Sequence, residues 1–192
     1  MKQAIAQSRA IKCNPIIFEG KSLEKSEKAR ISLIPINYIQ FPSTKGSKLK
    51  EDLVQYLVEI FLPTNFSKFH FQSTIGGETS LVGFQLFLKD ILGISVNKKT
   101  RAGFESVDGQ FVLEIIRNSN NLLAVGKAAF PSDQWPSASI SELVEFSLNF
   151  PSQLFSNLQF VFFLDSALLP SILREFGILI EKCSFEEGSV RP

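Results

Sequence analysis

The stretch Phe155-Ser156-Asn157-Leu158-Gln159-Phe160 is similar in sequence to Phe66-Ser67-Lys68-Phe69-His70-Phe71, which lies 89 residues earlier. Three further pairs of blocks match in the same order: residues 40–43 with 129–132, residues 51–56 with 141–146, and residues 89–94 with 174–178. Their offsets stay between 84 and 90 residues. Matching blocks in one order at a nearly fixed offset indicate an internal duplication.

The pattern within each copy predicts its secondary structure. Alternating apolar residues predict strands, and apolar residues spaced by three and four predict helices. In the first copy we expect strands at 14–23, 31–41, 66–72 and 94–97, and helices at 47–61 and 80–92. In the second copy we expect strands at 110–117, 122–130, 158–164 and 178–183, and helices at 139–150 and 167–176.

Breaking residues set the expected ends of these elements. Pro35 predicts an edge or a bulge in its strand, because proline has no N–H to donate to a ladder. Pro63 ends the first helix, Gly76-Gly77 turns the chain, and glycines 93 and 177 cap helices. The fold class is therefore α+β, with internally duplicated β-β-α-β-α-β halves related by a pseudo-twofold. Residues 1–10 are a flexible arm, and residues 11–98 and 101–184 are two repeats packed as one globular unit.

Composition favours a soluble protein of a reducing compartment. The chain has 192 residues, 44 % of them hydrophobic, which is enough for a core without metal or disulfide support. The longest strongly apolar stretch, residues 158–164, is far shorter than the roughly 20 residues that span a bilayer. Cys13 and Cys183 lack the spacing of a zinc site, and two reduced thiols are favoured over a bridge. We expect a cytoplasmic or other reducing intracellular location and no membrane.

Residues that could carry catalysis are few. The single histidine, His70, is matched by Gln159 in the second copy, which favours a half-exposed polar position over a catalytic base. No Walker or dinucleotide-binding glycine motif occurs. The sequence therefore predicts no catalytic residue, no metal and no cofactor, and leans away from an enzyme.

The candidate binding residues lie where the two copies differ or where positive charge gathers. The loop with Gly76, Gly77 and Glu78 is longer in the first copy, and Trp135 is unique to the second. Residues 1–50 carry a net charge of +7 and the remainder −6, so a nucleic acid or an acidic partner is an alternative to a solvated basic segment. The basic candidates are Lys45, Lys48, Lys50, Lys98, Lys99 and Arg101.

The string Ala102-Gly103-Phe104-Glu105-Ser106-Val107-Asp108-Gly109-Gln110-Phe111 resembles the signature of LAGLIDADG homing endonucleases. The resemblance implies that the motif closes a helix and that Asp108 holds a divalent metal for phosphodiester cleavage. It covers ten residues. No second signature occurs near residues 13–22, and Arg101 stands where the packed helix needs an apolar residue.

The function favoured by these patterns is a non-enzymatic binding or assembly module that acts through protein–protein contacts. The alternative is a nucleic-acid-binding protein, with a metal-dependent LAGLIDADG-like endonuclease as its enzymatic form.

Overall fold

The computed structural model describes residues 6–22, 28–41, 51–63, 70–129 and 157–184. These residues form a mixed sheet-and-helix fold in which strands predominate. The elements are β1 (Gln7–Ala10), β2 (Ile16–Ser22), β3 (Lys28–Gln40), β4 (Leu53–Pro63), β5 (His70–Ser80), α1 (Leu81–Ser95), β6 (Arg101–Glu105), β7 (Phe111–Asn118), β8 (Asn121–Ala129), β9 (Asn157–Leu164), a 3₁₀ turn (Ser166–Leu168) and α2 (Leu169–Ser184).

The strands form one antiparallel sheet that curves into a nearly closed barrel. Its order is β5-β4-β3-β2-β9-β8-β7-β6, and β1 pairs with the second half of β3. The two strand runs, β2–β5 and β6–β9, meet where β2 pairs with β9. At the opposite end, β5 and β6 leave a seam. Two hydrogen bonds cross it, from Val107 N–H to the Glu78 carbonyl (2.7 Å) and from the Thr79 hydroxyl to the Glu105 carbonyl (3.1 Å).

The core lies between the inner face of the sheet and the two helices, which pack on each other. In β4, β6 and β7 alternate residues are buried against the core, as the two-residue period of a strand requires. Aromatic rings fill the centre. The ring centroid of Phe104 lies 5.1 Å from that of Phe84 and 4.9 Å from that of Phe87, and the centroids of Phe87 and Phe176 are 5.2 Å apart. All three pairs have the edge-on geometry that aromatic rings favour.

Several predictions from local pattern are confirmed. The strands predicted at 110–117 and 122–130 are β7 and β8, and Ser119 in the turn between them has a φ of 52°. The strand predicted at 158–164 is β9, and the helix predicted from Ser80 is α1. Pro35 lies at a bulge, where the β3–β4 register shifts before Asn37.

The helix predicted at 47–61 is wrong over its described part, because Leu53–Pro63 is strand β4. Its apolar residues fit both the two-residue period of a strand and the 3.6-residue period of a helix. Val54, Tyr56, Val58 and Ile60 alternate and are fully buried, while Leu53 and Leu57 supplied the helical spacing. Ladders with β3 and β5 on its two sides favour the strand, since each one satisfies backbone groups along the segment.

The glycine signals also misled. Gly76 and Gly77 lie inside β5, where a Cβ on Gly77 would come within 2.7 Å of the Tyr56 ring. Gly93 and Gly177 lie inside α1 and α2, so the strands predicted at 94–97 and 178–183 are wrong. Residues 101–105, expected as the start of the second repeat and of the endonuclease-like motif, form β6, and residues 7–10 of the expected arm form β1.

The described elements therefore run as four strands and a helix, twice, after β1. This order differs from the predicted β-β-α-β-α-β order of elements in each half. The internal duplication stays a prediction. Gln40 and Ala129, which match in the sequence, end the second strand of one run and the third strand of the other.

Candidate interaction surface

Four of the predicted binding residues, Lys45, Lys48, Lys50 and Trp135, lie outside the described residues. The predicted helix at 139–150 lies outside them as well.

The glycine-rich candidate is a piece of strand rather than a loop. Gly76 faces outward with open space around it, and Gly77 faces Tyr56. The Glu78 carboxylate accepts a 2.6 Å hydrogen bond from Gln55 on the neighbouring strand. The first turn of α1 follows, and its capping hydroxyl, Ser80, already accepts the Gly83 N–H at 3.0 Å. The segment is therefore part of the strand at the edge of the sheet and not the loop expected from the sequence.

Asp108 is a turn residue. Its carboxylate accepts hydrogen bonds from the Ser106 hydroxyl (2.5 Å) and the Gln110 N–H (3.0 Å), and Gly109 beside it has a φ of +70°. The helix implied by the endonuclease resemblance is wrong, because Arg101–Glu105 is β6. In the described parts of the chain, no three His, Cys, Asp or Glu side chains gather as a metal site would require.

The basic candidates Lys98 and Lys99 lie in the exposed turn directly after α1, and Arg101, also exposed, begins β6. With Asn97 and Thr100 they line an open cavity of about 400 Å³. Lys99 forms an ion pair with Asp90, and Arg101 pairs with Glu114 at 2.8 Å. We call Lys98, Lys99 and Arg101 the basic turn.

The feature that sequence reasoning missed is the outer face of α1. Val82, Leu86, Leu92 and Val96 are between 46 and 56 % exposed, although they are large aliphatic side chains. Val82, Leu86 and Leu92 recur at helical spacing on one side of α1, with Lys89 at its middle, and Val96 is the residue that caps its C-terminal end. We call these four residues the α1 stripe.

The opposite face of α1 fixes the stripe in place. Phe84, Phe87, Ile91 and Ile94 are fully buried, which anchors the helix against the aromatic core. The Leu81 N–H donates to the Asp52 carbonyl at 2.8 Å, which satisfies one of the four free N–H groups of the first turn. At the other end, Lys98 N–H donates to the Gly93 carbonyl at 2.8 Å, and Asn97 turns the chain with a φ of 59°. The stripe is thus held on a rigid element.

An apolar groove continues the stripe at the N-terminal end of α1. Leu86 and Val107 line it together with Phe104, and its volume is about 540 Å³. Val107 is 67 % exposed at the barrel seam. Carboxylates stand around this end, since Glu51 and Glu105 line the groove and Asp108 follows Val107.

No family model, no curated protein and no solved structure matches the chain, so the comparisons with known proteins assign no family or function to this surface. Among the described helices, none is long and apolar enough to cross a membrane.

One sequence signal pointed to the stripe. The fifteen residues of α1 contain only two charged side chains, Lys89 and Asp90. A helix with so few charged residues has a narrow polar face, so apolar residues are expected on part of its outer side as well as on its core side.

Proposed function

We propose that this chain is a non-enzymatic assembly module that binds a protein partner through the α1 stripe and the adjoining groove. The observation that carries the proposal is the exposure of four aliphatic residues on one side of a well-anchored helix. Contiguous apolar surface of this kind is characteristic of protein–protein contacts, because its burial removes it from water.

Photo-crosslinking tests the proposal. A photoreactive residue replaces Leu86 in cells that make the protein, and the matched control carries it at Lys127, which is exposed on the outer face of β8. We expect protein adducts at position 86 that disappear when Leu92→Asp is added. Adducts at position 86 that are no more abundant than those at 127 would contradict the proposal.

The internal duplication and a reducing location belong to the same proposal. Two runs of four antiparallel strands, each followed by a helix, support an origin by duplication about a pseudo-twofold.

Two unbridged thiols, Cys13 and Cys183, support a reducing intracellular compartment.

A second candidate function, single-strand nucleic-acid binding, is favoured by the outer face of β9. Phe163 is 38 % exposed there, and Lys21 lies directly across from it on β2, with Lys28 next in the same row on β3. An aromatic side chain that stacks on a base, beside cations that meet the phosphates, is the usual means of binding single strands.

A salt titration tests the second candidate. We expect labelled single-stranded oligonucleotides to bind less tightly as salt rises, and Phe163→Ala to weaken binding by roughly 5- to 150-fold. Val161→Ala, on the same face of β9, is the control and leaves affinity near wild type. Absent or salt-insensitive binding rules this function out without touching the first.

A further inference from the structure

We infer that the partner of the α1 stripe is a second copy of this chain, docked with its own α1 antiparallel to the first. The inference rests on the proposed function and specifies its partner. It is carried by two symmetries of the surface, one in apolar spacing and one in charge.

The apolar symmetry is a palindrome along α1. The exposed aliphatic residues are Val82, Leu86, Leu92 and Val96, which lie seven and three residues before Lys89 and three and seven residues after it; Gln85 and Lys89 are the exposed polar residues among them. An antiparallel pair with its twofold axis at Lys89 brings Val82 opposite Val96 of the second copy, and Leu86 opposite its Leu92. A twofold interface requires such a self-complementary patch. The stripe can therefore cover itself.

The two Lys89 side chains meet near the axis. Each has a long aliphatic stem that can lie along the leucines while its ammonium group reaches solvent. Repulsion between the two ammonium charges weakens the dimer only modestly, because water and salt screen charges at an exposed position.

The charge symmetry fixes the direction of packing. The N-terminal end of α1 lies beside the exposed carboxylates Glu51, Glu105 and Asp108, and its C-terminal end continues into the basic turn. Antiparallel packing brings each acidic end toward the basic end of the other copy, and does so twice. Parallel packing would bring acid to acid and base to base.

Two cations of the basic turn already have partners. Lys99 pairs with Asp90 and Arg101 with Glu114, and both pairs are solvent-exposed. Exposed ion pairs contribute little to stability, so these cations can also attract carboxylates of a second copy. Lys98 is exposed beside them.

The size of the surface predicts a modest affinity. From Val82 to Val96, the residue that follows α1, the stripe extends about 21 Å, and Val107 extends the apolar surface beyond the N-terminal end of the helix. A standard interface buries about 800 Å² on each partner, and a single helix pair lies at or below that size. We therefore expect dissociation constants on the order of micromolar.

Sedimentation of the purified full chain tests self-association between about 1 and 200 µM, a range that brackets micromolar affinity. We expect a monomer–dimer equilibrium that Leu86→Asp or Leu92→Asp weakens at least about tenfold. Leu57→Asp is the control, because Leu57 is an exposed leucine, at 37 %, on the outer face of β4. It should leave the equilibrium unchanged.

Engineered cysteines test the antiparallel direction in a Cys13→Ser background. Under mild oxidation Lys89→Cys should give a covalent dimer, since the two copies of residue 89 meet at the axis. Val82→Cys should not, because its two copies lie about 21 Å apart. Bridging at both positions would indicate parallel packing and overturn the inferred geometry.

The outcomes separate this inference from the function on which it rests. A chain that stays monomeric at the highest concentration overturns the inference. If position 86 then crosslinks to a different protein, the assembly function stands without it. Absence of both signals would overturn both.

Discussion

Tyr38 and Tyr56, the two tyrosines of the chain, are both buried on the inner side of the sheet. The Tyr38 hydroxyl donates to Asp52 at 2.5 Å, and the Tyr56 hydroxyl shares a 2.8 Å hydrogen bond with Thr79. Burial is the main cause that raises the pKa of both phenols, and for Tyr38 the bond to Asp52 raises the pKa further. Sequence could not give these environments, because they depend on residues of other strands.

An alkaline titration followed by phenolate absorbance should therefore be silent near the ordinary tyrosine pKa of about 10. Above that pH the unfolded chain loses two protons that the folded chain keeps, so the stability present below pH 10 falls as pH rises. We expect both phenols to ionise together, at the alkaline unfolding transition. In denaturant, both should titrate near 10. A folded protein with an independent step of one tyrosine near pH 10 would contradict the environment described for it.

At the scale of elements, α1 begins where the sequence predicted, because its start signal is local. Ser80 accepts the Gly83 N–H from its own first turn, and no distant residue is needed for that bond. The far end of α1 is different. Gly93 was expected to stop the helix, but Ile91 and Ile94 on either side of it are buried, so packing carries the helix to Ser95.

Ser80→Ala should lower the free energy of unfolding by about 1 kcal/mol, the usual cost of losing an N-cap. Urea denaturation followed by circular dichroism measures it. The control is Ser95→Ala at the other end of α1, where the hydroxyl donates to the Leu92 carbonyl near solvent. Its expected effect is within about 0.5 kcal/mol. Equal losses for the two variants would argue against the cap.

At the scale of the molecule, the two strand runs form one barrel only because β2 and β9 pair. Three residue pairs make this junction, among them Gly20 with Leu164. A Cβ on Gly20 would stand 1.6 Å from the Phe163 carbonyl oxygen, so only glycine allows the two strands to approach as they do.

Gly20→Ala should therefore part β2 from β9 and lower the free energy of unfolding by at least about 3 kcal/mol. Gly76→Ala is the matched control, because Gly76 lies in β5 with nothing within 4 Å of its added Cβ. We expect it to change stability by less than about 0.5 kcal/mol. Denaturant titration of the two variants decides between them, and similar values would show that the junction does not depend on Gly20.

The sequence predicts Glu78, Lys98, Lys99 and Arg101 as separate candidate binding residues, Glu78 in a loop and the three cations at the junction of the two repeats. The fold places them at the two ends of α1, with Glu78 bonded across the seam to Val107. The stripe between them was missed, since an apolar helix residue reads as core until the packing of every neighbour is known.

By itself, the sequence determined the α+β class, the β7–β8 hairpin, β9 and the start of α1. Each depends on residues close together in the chain: a turn, an alternating apolar run or a capping hydroxyl. Only the tertiary structure decided that residues 53–63 are a strand, that α1 and α2 run through their glycines, and that Val82, Leu86, Leu92 and Val96 face outward. The physical reason is that segments distant in the chain supply strand pairing and burial. An apolar pattern that fits both a helix and a strand, or both a buried and an exposed position, is therefore decided only by the contacts that those segments make.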